Sequence, residues 1–176
     1  GRWLGGNTPL GYESEGTEYC KVDGKKRKTF HLKLIPEEAQ LVQKIFSKFL
    51  ELKSLTKLET YLLNQDYKTR RGKPFSRFAI REIIVNPVYA KADRAMYQYL
   101  IANDVQPFSD QSAFDGSHGI MAYNRTEQTK GSTTRKKPME EWVVSVGEHE
   151  GIVSGEDWIA VQGLLDENKS KSYRWR

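Results

Sequence analysis

Apolar residues recur at helical spacing in five stretches of this chain. Leu41, Val42, Ile45, Phe46 and Phe49 predict a helix from Pro36 to about Leu52, opened by Pro36 at its first position and by Glu37 and Glu38 in its first turn. Ser54 is a suitable cap for a second, with Leu55, Leu58, Leu62 and Tyr61 inward, ending near Asn64. Ser76 caps a third, in which Phe75 and Ile80 have the spacing of a hydrophobic staple and Ile80, Ile83 and Ile84 form one face. Asn86-Pro87 ends it, because a residue before proline is pushed out of the α region. Met96, Tyr97, Leu100 and Ile101 predict a short helix over 94–103. Ser154-Gly155-Glu156-Asp157 resembles a capping box and leads a last helix with Trp158, Val161, Leu164 and Leu165 inward.

Between these lie strand patterns. Residues 13–34 predict a β-hairpin: Tyr19 to Val22, an Asp23-Gly24 turn, a basic run (Lys25, Lys26, Arg27, Lys28), then Phe30, Leu32 and Leu34 in alternation. Val88 to Ala92, Gly119 to Asn124 and Trp142 to Val146 predict further strands, whereas 104–116 and Arg125 to Pro138 predict surface loops. Gly1 to Tyr12 holds four glycines and a proline, which rules out a helix and predicts an extended arm. Trp3, Leu4 and Tyr12 are more apolar than a merely solvated tail requires. The expected organisation is an arm over 1–12, a domain over 13–168 (a helical core at 35–93, an insert at 94–138) and a polar tail over 169–176. The fold class is α+β: a helix-turn-helix-like three-helix core with small β-hairpins and a C-terminal helix.

Composition adds a bias toward a polyanionic partner. The formal net charge is +5, and the 38% hydrophobic fraction implies a modest core under a large polar surface. No apolar run approaches the ~20 residues of a membrane helix. Cys20 is the single cysteine, so neither an internal disulfide nor a four-cysteine zinc site can form within this chain; no metal or cofactor is expected, and a reducing, cytoplasmic setting fits.

Charge is concentrated just before and within the third helix. Lys68, Arg70, Arg71, Lys73, Arg77 and Arg81 are six basic residues uninterrupted by an acid. A short, capped, cationic helix with a fixed apolar face suits the DNA major groove, although an ordinary solvated face would have the same composition. Catalysis by the chain itself has little support. His31, His118 and His149 are not followed by arginine three residues on, as a tyrosine recombinase would require, and no Gly-x-Ser-x-Gly or phosphate loop is present.

Several segments together resemble the recombinase domain of the large serine recombinases, which include phage integrases and mobile-element transposases. They are Gly1-Arg2-Trp3-Leu4-Gly5-Gly6 with Pro9-Leu10-Gly11-Tyr12, Ile35-Pro36-Glu37-Glu38-Ala39, Ile45-Phe46, the Thr69 to Lys73 loop, Phe75-Ser76, Asn86-Pro87-Val88-Tyr89, Trp142, Ile152-Val153-Ser154, Trp158 and Val161-Gln162. The insert after Tyr89 departs from the family's simplest pattern, and Phe75 stands where the family often has Trp. The resemblance implies an attachment-site recognition module for double-stranded DNA, with a nucleophilic serine domain upstream and often a zinc ribbon downstream. It also implies dimers on each site and tetramers in synapsis for the full-length protein, with this part alone a monomer. The candidate DNA-binding set is Arg2, Trp3, Gly5 and Gly6 in the minor-groove arm; Arg70, Arg71 and Lys73 on phosphates, with Lys68 and Thr69 of the same loop; and Ser76, Arg77 and Arg81 on the reading helix. The alternatives from the residues alone are a transcriptional regulator with a similar helix-turn-helix and a domain that binds no DNA.

Overall fold

An apolar stripe on a helix has to be covered, and in the computed structural model the first three stripes cover one another. Backbone is described for residues 6–22 and 24–174, without the side chains of 17–22, 25–29, 173 and 174. Helix α1 spans Pro36–Leu52, α2 Leu55–Asn64 and α3 Arg77–Ile84. Val42, Ile45, Phe46 and Phe49 of α1 meet Leu58 and Leu62 of α2 and Ile80 and Ile84 of α3 in one core. Ser54 Oγ accepts from the Lys57 N–H, so the predicted cap is present. Lys53, in the left-handed region at φ 57°, turns the chain between α1 and α2.

The other elements brace this trio. Strands β1 (Tyr12–Val22) and β2 (Lys25–Leu34) form the predicted antiparallel hairpin, with a bulge between Gly16 and Glu18. Leu32 is buried and Leu34 packs on the core, whereas Phe30 is exposed. Of the expected turn, Asp23 lies outside the described residues. Helix α4 (Arg94–Ala102) follows the capping Asp93, and β3 (Ile120–Tyr123) pairs with a later strand, Val143–Val146. The long last helix covers Gly155–Arg174 and packs on α1, α3 and α4. It runs past residue 168, where a separate tail was expected. The α+β class is as expected from the sequence.

Two local expectations change. Val88 to Ala92 is not a regular strand: Asn86 Oδ1 accepts from the Val88 N–H, Pro87–Tyr89 make a 3-10 turn, and only isolated bridges follow, Ala90 to Val153 and Lys91 to Gly119. Proline and an Asx-type bond favour that turn over an extended ladder. Arg125 to Pro138 is not wholly loop, since β4 (Thr126–Glu127) and β5 (Arg135–Lys136) pair antiparallel. The strand opposite β3 is therefore β6 and the last helix α5. Among the described residues no helix is long and apolar enough to cross a membrane.

His149 is the core's one buried polar side chain among the described residues. Its Nε2–H donates to the Val88 carbonyl at 2.8 Å, and its Nδ1 is buried without a partner. Glycines flank the ring: a Cβ on Gly119 or Gly147 would lie 2.3 or 2.4 Å from it. Burial pushes the imidazole down to about 4 from 6.5, so it is neutral in the folded protein. As pH falls below 6.5 the unfolded chain takes up this proton first, and stability declines toward pH 4. In urea unfolding, lowering the pH from about 7.5 to 4.5 should cost the wild type roughly 2–3 kcal/mol more than His149→Gln.

Candidate nucleic-acid interface

The basic loop before α3 is closed by its own residues. The Thr69 N–H donates to the Lys73 carbonyl at 2.8 Å, the Gly72 N–H to the Thr69 carbonyl at 2.9 Å, and Lys68 bridges Pro74. Gly72 sits at φ 73°, where a side chain would be strained. Thr69 Oγ1 also accepts from the Lys73 N–H, which makes Thr69 the loop's latch. Arg71 and Lys73 project from it, exposed and without an acidic partner among the described residues, while Lys68 pairs with Asp66 at 3.2 Å.

Helix α3 is held at both ends. Ser76 Oγ accepts from the Ala79 N–H at 3.1 Å, and Glu59 of α2 accepts from the Arg77 N–H at 2.8 Å. Phe75 and Ile80 are both buried, as the staple requires. At the other end Gln162 Nε2 donates to the Ile84 carbonyl at 2.8 Å and Trp158 Nε1 to the Asn86 carbonyl at 3.1 Å. Gln162 of α5 thus satisfies a carbonyl that the helix end leaves orphaned, and Trp158 of α5 holds the chain just past that end.

What α3 presents outward is Arg77, Phe78 and Arg81, its three exposed residues, at spacings that put them on one face. Phe78 is 74% exposed. It was missed in the sequence, although an apolar residue on the arginine side of the helix was the available signal. Arg77 and Arg81 also line a groove of about 550 Å³ with Lys53, Ser54, Asn168 and Lys169, and no lining residue is acidic. Helix α5 therefore adds basic charge beside α3 that its distance in sequence concealed.

Arg70 has a different place from the phosphate contact expected of it. Its Nε donates to both Glu38 carboxylate oxygens at 3.1 Å, and Nη2 donates to Glu38 Oε1 at 2.6 Å. Nη1 reaches the Thr8 carbonyl and hydroxyl at 2.8 and 3.0 Å; Nη2 also reaches the carbonyls of Pro9 (3.1 Å) and Tyr12 (2.6 Å). All three nitrogens are engaged within the fold. The Arg70 hydrogen bond holds the Glu38 carboxyl below its ordinary range, aided by the Gly11 N–H at 2.9 Å. Tyr12 completes the anchorage: fully buried, it stacks on Tyr89 and donates to the Glu150 carbonyl. The arm is thus fastened to α1 and to the loop before α3. Arg2, Trp3 and Gly5 lie outside the described residues; Gly6 is exposed, at φ 88°.

Residues 36–168 match the sequence profile of the family named Recombinase, most of the chain, so the protein belongs to that family. The motif resemblance to a recombinase domain is borne out. Two solved structures are similar at low identity. One is called "Crystal Structure of a LSR-DNA Complex": 17% identity, TM-score 0.46, 94% of this chain and 33% of that one. The other is called "Sequence Requirements of the Listeria innocua prophage attP site": 17% identity, TM-score 0.43, 89% of this chain and 41% of that one. This chain thus spans about a third and two fifths of the lengths of those two. No curated protein matches.

Removing the Arg70 guanidinium takes the charged donor from Glu38 and from the carbonyls of Thr8, Pro9 and Tyr12. Arg70→Ala should cost about 1–2 kcal/mol in urea unfolding, the low end for charged hydrogen bonds because the pair is partly exposed. It should also raise amide exchange at Gly11 and Tyr12 while leaving exchange in α5 unchanged.

Proposed function

We propose that this domain recognises double-stranded DNA as the attachment-site module of a site-specific serine recombinase. Strand cleavage belongs to a serine nucleophile elsewhere in the protein, and the module's task is to find the site. The observation that carries this reading is the exposed face of α3. Two arginines flank an uncovered phenylalanine on a short helix whose opposite face is locked into the core. A fork of guanidinium donors matches guanine O6 and N7, and a phenyl ring matches the thymine methyl. Arg71 and Lys73 on the latched loop take phosphates and fix the register. Arg2, Trp3, Gly5 and Gly6 follow the adjacent minor groove, where glycines permit close approach and arginine meets strong negative potential. Ser76 and Thr69 contribute by shaping helix and loop, and Arg70 by holding the arm's base.

Selection from a randomised duplex pool supplies the probe. On the selected duplex, Arg81→Ala should cost about 1–3 kcal/mol and erase preference at one base pair. Arg71→Ala should weaken all duplexes alike and lower the salt slope by about one. Unchanged affinity for both variants would sink this assignment. For Phe78, replacing the contacted thymine by deoxyuridine should weaken wild-type binding about fourfold, the worth of one buried methyl group, and leave Phe78→Ala indifferent to the change.

A further inference from the structure

The insert's basic hairpin is the largest feature that the reading of α3 leaves without a task. From Arg125 to Lys137 it carries five basic residues (Arg125, Lys130, Arg135, Lys136, Lys137), one acid (Glu127) and no apolar side chain. It adds nothing to the core, and β4 and β5 are exposed along their whole length. A segment of this composition has no folding reason to be held close to anything.

It is nevertheless held against the recognition helix. At its root the Lys137 N–H donates to the Arg125 carbonyl at 2.8 Å, and Lys137 Nζ donates to Asn124 Oδ1 at 2.8 Å. Arg125 sends Nη1 to Asn86 Oδ1 at 3.2 Å, just beyond the end of α3, and lies over the Trp142 ring at 5.3 Å. Higher up, Lys136 Nζ meets Glu82 of α3 at 2.9 Å. Glu82 is the one acid in α3. The contact thus aligns the hairpin with the helix and also neutralises the carboxylate that would repel a nucleic-acid backbone. Beyond these ties Lys130 and Arg135 are exposed and make no ion pair among the described residues, with Glu127 opposite Arg135 in the β4–β5 register, and Gly131 at the tip, φ 85°, has open space around it. Hydroxyls of Thr129, Ser132, Thr133 and Thr134 accompany them.

We propose that residues 124–138 form a wing, a basic ribbon beside α3 whose Lys130, Arg135 and tip hydroxyls contact the sugar-phosphate backbone next to the groove that α3 occupies. The partner is the same duplex, so the proposal rests on the DNA-binding reading of α3 and extends its footprint. The insert then supplies affinity through backbone contacts that carry no base information.

The test compares wild type with the double variant Lys130→Ala/Arg135→Ala by fluorescence anisotropy on the selected duplex over a salt series. Both residues are exposed and neither belongs to the root, so circular dichroism should show an unchanged fold. Loss of two phosphate contacts lowers the slope of log K against log salt by about 1.8, and affinity at low salt falls about 10- to 100-fold with the preferred sequence unchanged. In a second arm, Ser132→Cys in a Cys20→Ser background, carrying a photoactivated crosslinker, should label the duplex. An unaltered slope and affinity together with no crosslink overturns the wing while leaving α3 as the reader. Absence of salt-sensitive duplex binding by the wild type overturns the DNA-binding reading and the wing with it.

Discussion

An eight-residue helix has no stability of its own. Nucleation costs too much for two turns to recover, so α3 exists because the rest of the domain holds it. Each neighbour contributes a different restraint. Helices α1 and α2 take its isoleucines, Glu59 and Ser76 satisfy its first amide groups, and from α5 Gln162 reaches its last carbonyl and Trp158 the Asn86 carbonyl just beyond it. With the apolar face and both ends fixed, the helix can neither roll nor slide, and Arg77, Phe78 and Arg81 keep a constant aim. Much of the remaining sequence becomes intelligible as support for that aim, including the long α5, whose packing on α1, α3 and α4 carries the two clamping side chains into place.

Helical periodicity made the frame legible because it is a local property. The spacing of Leu41 to Phe49, the Ser54 and Ser76 caps and the Phe75/Ile80 staple each lie within a few residues of what they organise, and each is present in the fold. Pairings across long separations were not legible. Nothing near Glu38 marks it as the partner of Arg70, thirty-two positions away, nor Glu82 as the partner of Lys136, fifty-four away. A count of basic residues treats Arg70 and Arg71 as equals, whereas their geometry separates them: one guanidinium is spent on the fold and its neighbour is exposed. Phe78 was obscured for the opposite reason. Apolar residues are expected inward, and a ring on the arginine side carries meaning only once the other face is known to be full.

The segment from Tyr89 to Trp142 joins the domain only partly through its core. Part of it does enter, through Met96 and Leu100 of α4 and through β3 paired with β6. The hairpin within it stays outside and is attached by polar contacts to Asn86, Glu82 and the Trp142 ring. Such contacts are individually weak in water, so their value lies in setting direction more than in stability.

The seat of Arg70 has a mechanical consequence. One side chain joins the backbone of Thr8, Pro9 and Tyr12 to a loop that reaches the Ser76 cap six residues later. Chain arriving through residue 8 is therefore not free to swivel about the domain. A twist or pull applied there is delivered through a guanidinium to the base of α3, and any displacement of α3 is felt in return at the arm. The chain at Thr8 to Tyr12 and α3 behave as a crank and its shaft, keyed together through Arg70.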